Sequence, residues 1–151
     1  MRRWRTVRCL FFLAAILAFQ AGGVAAQDSA RDRLVSTVGS LAQAWAVGAE
    51  AVVVTHLRSE RIALSLEGEA AASLPLRHAT VAVREYMRGF EQGEARVVRA
   101  ELAGDGGGSG FAELRWSARR VGTGQRLEYT VFLGMRQDGA GWMVEEIRVM
   151  R

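Results

Sequence analysis

The chain has 151 residues and carries 20 basic and 16 acidic side chains, which give a formal net charge of +4. Four of the arginines and none of the acids lie in the first 26 residues, so residues 27–151 are formally neutral. That balance gives no support to nucleic-acid binding, which needs a surplus of positive charge on the folded domain. The only cysteine, Cys9, also lies in the first stretch, so residues 27–151 can form no disulfide and offer no thiolate metal ligand.

Residues 1–26 have the three parts of a secretory signal peptide. A basic leader ends at Arg8, an apolar run covers residues 9–19, and small residues follow as far as Ala26. The run is shorter than the ~20 apolar residues that a helix needs to span a bilayer, so a permanent anchor is disfavoured. We therefore expect an exported protein, periplasmic or secreted, that is cleaved after Ala26 and keeps no membrane anchor. The remaining residues 27–151 have the length of one domain.

Two helices are predicted at the start of this domain. Apolar residues recur at the spacing of one helix face between Arg31 and about Val47. The residues on that face are Leu34, Val38, Leu41 and Trp45. Gly48 interrupts the pattern, and residues 50–57 are predicted to form a second short helix although several of them are β-branched.

A strand and a long helix are predicted next. Alternation of apolar residues predicts a strand over residues 61–66. The triplet 73–75 is a helix-start signal, because Ser73 can cap a helix and Pro75 is tolerated in the first turn. The helix is predicted to continue to about Phe90. Its apolar face comprises Ala79, Val83, Tyr86, Met87 and Phe90.

Four further strands follow, joined by turns that contain glycine. They are predicted over residues 95–102, 111–120, 126–136 and 142–150. The residues predicted to face inward on the first three are Val98, Ala100, Leu102, Ala112, Leu114, Trp116, Ala118, Leu127, Tyr129, Val131, Leu133 and Met135. Consecutive strands with tight turns form an antiparallel meander, whose apolar face helices must cover. The predicted fold class is α+β, with a curved antiparallel sheet of about five strands wrapped around the long helix and the N-terminal helices closing the cone.

Few side chains in residues 27–151 suit acid–base catalysis or metal binding. His56 ends the second predicted helix and could act as a general acid or base, or could simply contact the carbonyl ends of that helix. His78 lies in the first turn of the long helix and is expected to face solvent. Two isolated histidines without cysteine or an acidic cluster predict no metal site, and no motif predicts a cofactor.

Tyr129 and Glu145 lie on neighbouring predicted strands. Tyr129 points to the apolar face and should need a buried hydrogen-bond partner. Glu145 shares that side of its strand with Ile147, unless a bulge at residues 145–146 turns it to the other face. The two form either an acid–base pair in a pocket or a core tyrosine beside a rim glutamate.

All basic residues of the chain are arginines. This reflects either a bias toward arginine codons or an arginine-lined anion site. The second interpretation requires arginines that converge in the folded protein, which the sequence does not show.

Three features of the chain resemble the nuclear transport factor 2-like superfamily, also called SnoaL-like or cystatin-like cone folds. They are the amphipathic helix Leu34–Trp45, the proline-led helix Leu74–Phe90 and the closing hairpin Arg126–Met150, which has a glycine turn before Trp142. Within the superfamily, the chain is most similar to small exported bacterial domains of unknown function. The resemblance implies a pocket between the concave face of the sheet and the helices.

In such a pocket, the resemblance implies either acid–base chemistry or binding without reaction. Because no convergent set of titratable residues stands out, we expect an exported, non-catalytic domain that binds a small apolar ligand or a protein partner. The candidate ligand-binding residues are Tyr86, Trp116 and Tyr129. The alternative is a SnoaL-like isomerase, dehydratase or hydrolase that acts on a small molecule with His56, Tyr129 and Glu145 as catalytic residues.

The resemblance also bears on self-association, because members of the superfamily often pair through their sheets. A homodimer through the sheet face is therefore expected. Trp116 and Trp142 are expected either in the core or, if exposed, on that face.

Overall fold

The structure is a computed structural model that describes residues 7–104, 107–139 and 141–151, with side chains from residue 25 onward. The first residues of the predicted signal peptide and parts of two glycine turns lie outside the described residues. In chain order the elements are α1 (Val7–Val47), α2 (Glu50–Thr55), β1 (Arg61–Leu66), β2 (Ala72–Pro75), α3 (Leu76–Arg88), β3 (Glu94–Ala103), β4 (Ser109–Arg119), β5 (Arg126–Asp138) and β6 (Gly141–Met150). None of the helices in these ranges combines the length and the apolar character that crossing a bilayer requires.

Six strands form one curved, unclosed sheet in the order β2-β1-β6-β5-β4-β3. The strands β3 to β6 form the antiparallel meander that the sequence predicts, with Trp116 opposite Tyr129 and Leu133 opposite Ile147. β1 lies on the far side of β6 and runs parallel to it, with Leu64 opposite Ile147. The α+β prediction is confirmed, and the structure adds a sixth strand and one parallel pair.

The prediction that residues 73–75 start the long helix is wrong. These residues belong to β2, which pairs antiparallel with β1, and α3 begins only at Leu76. The residue before a proline is disfavoured in helical conformation, so Leu74 is extended and free to pair. Pro75 is itself extended, with φ −55° and ψ 144°.

The concave face of the sheet is covered by two helices. α1 lies over β3 and β4, whereas α3 lies over β1 and β2. The inward residues of β4 and β5 are buried as predicted, together with the apolar faces of both helices. The buried side chains that form this core include Leu34, Val38, Leu41, Trp45, Ala79, Val83, Met87, Ala112, Leu114, Trp116, Ala118, Leu127, Tyr129, Val131, Leu133 and Met135.

A β-bulge in β3 corrects the predicted orientation of Val98. The register with β4 passes from Val97 directly to Arg99, so Val98 is the inserted residue. An inserted residue shifts the alternation of the strand by one position. Val98 is therefore 49% exposed and does not face inward.

A second bulge, in β6, decides the orientation of Glu145. The register with β5 passes from Val144 to Glu146, so Glu145 is inserted and lies on the outer face of the sheet, away from buried Ile147. Gly134 faces this bulge, and a Cβ atom there would lie 2.9 Å from Cβ of Glu146. The bulge thus removes Glu145 from the concave face.

Candidate ligand-binding site

Five aromatic rings meet under the concave face of the sheet, and we call them the aromatic cluster. The cluster comprises Trp45 of α1, Tyr86 of α3, Phe90, Trp116 of β4 and Tyr129 of β5. Trp116 is its centre, because it contacts the other four rings at centroid distances of 4.7 to 6.2 Å. Most of these contacts are tilted or edge-on, the geometry that adds about 0.5–1.5 kcal/mol per pair beyond the burial of area.

Two of these rings carry a buried N–H group that has no hydrogen-bond partner. The indole nitrogens of Trp45 and Trp116 are unpaired, and both side chains are at most 2% exposed. Trp142 differs, since its indole N–H donates to the carbonyl of Ala30 at 3.2 Å. An unpaired buried donor costs about 1–3 kcal/mol, and contact with a neighbouring π face recovers only part of that. An acceptor atom within the cluster would therefore be favourable.

A carboxylate lies at the edge of the aromatic cluster. Oε1 of Glu67 accepts hydrogen bonds from the hydroxyl of Tyr129 at 2.8 Å and from the hydroxyl of Tyr86 at 3.1 Å. Nη2 of Arg120 lies 2.5 Å from the same oxygen and 3.5 Å from the hydroxyl of Tyr129. We call Tyr86, Tyr129 and Arg120 the donor cradle of Glu67.

The backbone fixes the positions of Arg120 and Glu67. Just after α3 the chain forms a β-bridge between Phe90 and Arg120, and the guanidinium of Arg120 lies 5.1 Å from the centroid of the Phe90 ring. On the other side, the amide of Glu67 donates to the carbonyl of Val149 at 3.0 Å, which ties the turn after β1 to β6. These contacts hold Glu67 and Arg120 at the same end of the sheet.

Glu67 has a backbone conformation that is unfavourable for its residue type. Its φ is +50°, and no other non-glycine residue in the described ranges has a positive φ. A residue with a Cβ atom in the left-handed region costs about 1–2 kcal/mol. The contacts of its carboxylate with the donor cradle offset this cost.

The environment keeps both tyrosine hydroxyls protonated at neutral pH. Burial and the neighbouring Glu67 carboxylate raise the pKa of Tyr86 far above its ordinary value. Burial and the hydrogen bond to Glu67 also raise the pKa of Tyr129. Both hydroxyls therefore act as hydrogen-bond donors and not as bases.

The three residues predicted as catalytic have separate surroundings. Nδ1 of His56 lies 3.0 Å from the carbonyl oxygen of Val52 in the last turn of α2, as in the helix-terminal interpretation. Glu145 forms a 2.6 Å ion pair with Nε of Arg136 and lines a cleft of about 220 Å³ on the outer face of the sheet. Tyr129 bonds instead to Glu67, on the concave side. His78 is exposed.

The three residues predicted to bind a ligand do lie together. Tyr86, Trp116 and Tyr129 all belong to the aromatic cluster. Glu67 and Arg120 were not among the predicted site residues, because both lie at the ends of strands, where alternation gives no information about partners distant in the sequence. The one available signal was the partner that a buried Tyr129 hydroxyl requires.

The site offers little to a metal ion. In the part of the chain that the structure describes, no three histidine, cysteine, aspartate or glutamate side chains come together. The carboxylate of Glu67 at the donor cradle already accepts from three donors.

Comparison with known proteins gives information at the level of the fold. No protein-family model and no curated protein sequence matches the chain. A DUF4783 family protein from Bacteroides ovatus is similar in structure, with a TM-score of 0.59 and 14% identity over 74% of this chain and 91% of that chain. An NTF-2 like protein of unknown function from Shewanella oneidensis has a TM-score of 0.59 and 13% identity, over 80% of this chain and 98% of that chain.

A third solved structure is a ketosteroid isomerase-like protein from Erwinia carotovora atroseptica. Its TM-score is 0.64 at 10% identity, over 80% of this chain and 94% of that chain. The TM-scores establish the shared fold, and identities this low leave activity open. The chain thus has the nuclear transport factor 2-like fold that its sequence resembles.

Proposed function

We propose that this domain binds a small, mainly apolar molecule without transforming it, and that the molecule enters between the largely buried rings of the aromatic cluster. The observation that carries the proposal is the pair of unpaired indole N–H groups of Trp45 and Trp116 inside the cluster. Buried polar groups in native proteins nearly always have partners, and an exception calls for an explanation. A ligand that brings an aromatic ring and an acceptor atom would supply both the packing and the missing partner.

The protonated tyrosine hydroxyls and the hydrogen bonds of Glu67 favour binding without reaction over acid–base catalysis. The two tyrosines have raised pKa values and donate to Glu67, whose Oε1 already accepts from Arg120 as well. A general base needs a free lone pair directed at the substrate proton. The acid–base alternative, which the ketosteroid isomerase-like structural neighbour suggests, would depend on the second carboxylate oxygen of Glu67, because Oε1 is already held by three donors.

Titration of the full chain with benzamide, followed by tryptophan fluorescence, tests the proposal. Benzamide is uncharged and combines a ring with a carbonyl acceptor. We expect saturable quenching, weaker binding in Trp116→Phe and unchanged binding in Trp142→Phe, because the Trp142 N–H is already paired with Ala30. Quenching that does not saturate, or that both variants alter equally, would count against the aromatic cluster as the site.

Export and self-association remain proposals that rest on the sequence. We propose cleavage after Ala26, which mass determination of the exported protein would reveal.

We also propose a homodimer through the outer face of the sheet, where Phe111 and Phe132 are half-buried, whereas Trp116 and Trp142 are core residues. Light scattering of the wild type and of Phe132→Glu tests the dimer, since a buried charge should dissociate it.

A further inference from the structure

Building on the proposed binding function, we infer that the ligand carries a carboxylate, and that Glu67 occupies the place of that carboxylate when no ligand is bound. The donor cradle would receive the acid group of the ligand, and the aromatic cluster would receive its apolar part. The ligand class is thus a small aromatic or similarly apolar carboxylic acid.

The first step of the argument is the convergence of three donors on one oxygen atom. Two hydroxyls and one guanidinium surround Oε1 of Glu67 at distances of 2.5 to 3.1 Å. Once the Glu67 side chain is withdrawn, the cradle has one positive charge and two protonated hydroxyls. A monocarboxylate neutralises that charge and accepts from the same donors through charge-assisted hydrogen bonds.

The second step is that Glu67 can withdraw without unfolding of the sheet. Glu67 and Gly68 are exposed residues of the turn between β1 and β2, and the Glu67 side chain itself is 28% exposed. Its backbone is anchored separately, by the hydrogen bond that its amide donates to the carbonyl of Val149. Rotation of the side chain alone therefore opens the cradle toward solvent.

The third step is that the cradle adjoins the aromatic cluster. Tyr86 and Tyr129 contribute their hydroxyls to the cradle and their rings to the aromatic cluster, while Arg120 lies over the Phe90 ring. A carboxylate held by the cradle would therefore place a directly attached ring against the cluster. The sequence left open an anion site lined by several arginines, whereas the cradle has one guanidinium and two tyrosine hydroxyls.

The test compares benzoate, benzamide and formate on the full-length wild type and on Glu67→Gly. Glycine removes the internal carboxylate and adopts a positive φ without strain, so the variant should fold. Benzoate and benzamide have nearly the same shape and differ in charge. Formate is a carboxylate without an apolar part, so its binding tests the cradle alone. Calorimetry at constant ionic strength gives the affinities.

In Glu67→Gly we expect benzoate to bind about tenfold or more tightly than benzamide, since hydrogen bonds to a charged acceptor are stronger than those to a neutral one. In the wild type this preference should be about tenfold smaller, because the tethered Glu67 carboxylate competes. Adding Arg120→Gln to Glu67→Gly should remove most of the preference, because the guanidinium of Arg120 is the positive charge of the cradle. The Glu67→Gln variant, which keeps a side chain at the cradle, should lie between the two.

The possible failures can be told apart. If Glu67→Gly binds benzoate and benzamide equally well and formate does not raise its melting temperature, the carboxylate inference is overturned while the apolar site stands. If formate and benzoate bind equally and benzamide does not bind, the cradle exists but the aromatic cluster is not a binding surface, which overturns the proposed function and this inference. Should Glu67→Gly prove unstable, equal affinity of Glu67→Gln and wild type for benzoate would overturn the inference.

Discussion

The hydroxyl of Tyr129 donates a 2.8 Å hydrogen bond to Oε1 of Glu67, a residue 62 positions away in the sequence. Tyr129 lies on the buried face of β5, and Glu67 lies in the turn after β1, so the contact passes across β6. The hydrogen bond links the meander to the turn after β1, the strand that runs parallel to β6. The hydroxyl of Tyr86, from α3, donates to the same carboxylate. One carboxylate thus connects the sheet, α3 and the turn after β1.

Removal of this carboxylate is expected to lower the free energy of unfolding. In Glu67→Ala the buried hydroxyl of Tyr129 loses its acceptor, at a cost of about 1–3 kcal/mol. Glu67→Gly loses the same acceptor but relieves the left-handed backbone, so it should be more stable than Glu67→Ala by about 1 kcal/mol. Urea denaturation of the two variants and the wild type measures both differences. Equal stability of the alanine and glycine variants would show that the φ of +50° carries no strain.

The stability should fall at alkaline pH because the folded state raises the pKa of Tyr86 and Tyr129. Unfolded tyrosine ionises near pH 10. Above that pH the unfolded chain releases protons that the folded chain retains. The stabilisation of the folded state that depends on these protons is therefore fully present below about pH 10, and it is lost as the pH rises toward the pKa values of the folded state. The slope should reach about 1.4 kcal/mol per pH unit for each tyrosine.

The chain contains only these two tyrosines, so tyrosinate absorbance reports on them alone. The folded protein should titrate at higher pH than the urea-unfolded protein, and Tyr86→Phe should reduce the alkaline loss of stability. Coincident titration curves for the folded and unfolded states would contradict the expectation. Trp142→Phe is the control, because its substitution leaves both hydroxyls in place.

Periodicity in the sequence is informative where one face of an element is buried, and uninformative elsewhere. Leu127 to Met135 alternate without interruption, and their burial follows directly from that pattern. The bulges at Val98 and Glu145 change the face of a residue through a local insertion, which alternation alone does not reveal. Glu67 and Arg120 were missed for a related reason, since long-range pairing and not local pattern brings them together.

Substitution of two residues that the sequence singled out should have little effect. His56→Ala combined with Glu145→Ala is expected to change the free energy of unfolding by less than about 1 kcal/mol, because exposed ion pairs such as Arg136–Glu145 contribute little. Benzamide binding should be unchanged. Tyr129→Phe is the contrasting variant, and it should destabilise the protein by about 1 kcal/mol. If the double variant folds but no longer binds benzamide, His56 or Glu145 must take part in ligand binding.

The junction between α1 and β4 depends on a glycine, and a pair of glycine-to-alanine substitutions tests this. The amide of Gly93 donates to the carbonyl of Ala46 at 2.8 Å, and a Cβ atom on Gly93 would collide with the carbonyl oxygen of Ser117. Both neighbours are backbone, so relief requires a shift of α1 or of β4, and overpacking of this kind typically costs about 1–3 kcal/mol.

Gly39 is the matched control, because it is exposed inside α1 and a Cβ atom there meets nothing within 4 Å. Gly39→Ala should raise the free energy of unfolding by about 0.5–1 kcal/mol, since alanine has the higher helix propensity. If urea denaturation shows a lower free energy of unfolding for Gly93→Ala and a higher one for Gly39→Ala, the close approach at Gly93 is required. If Gly93→Ala were as stable as the wild type, the contact between the end of α1 and β4 would have to be looser than the structure shows, and Trp45 would be less firmly positioned against Trp116.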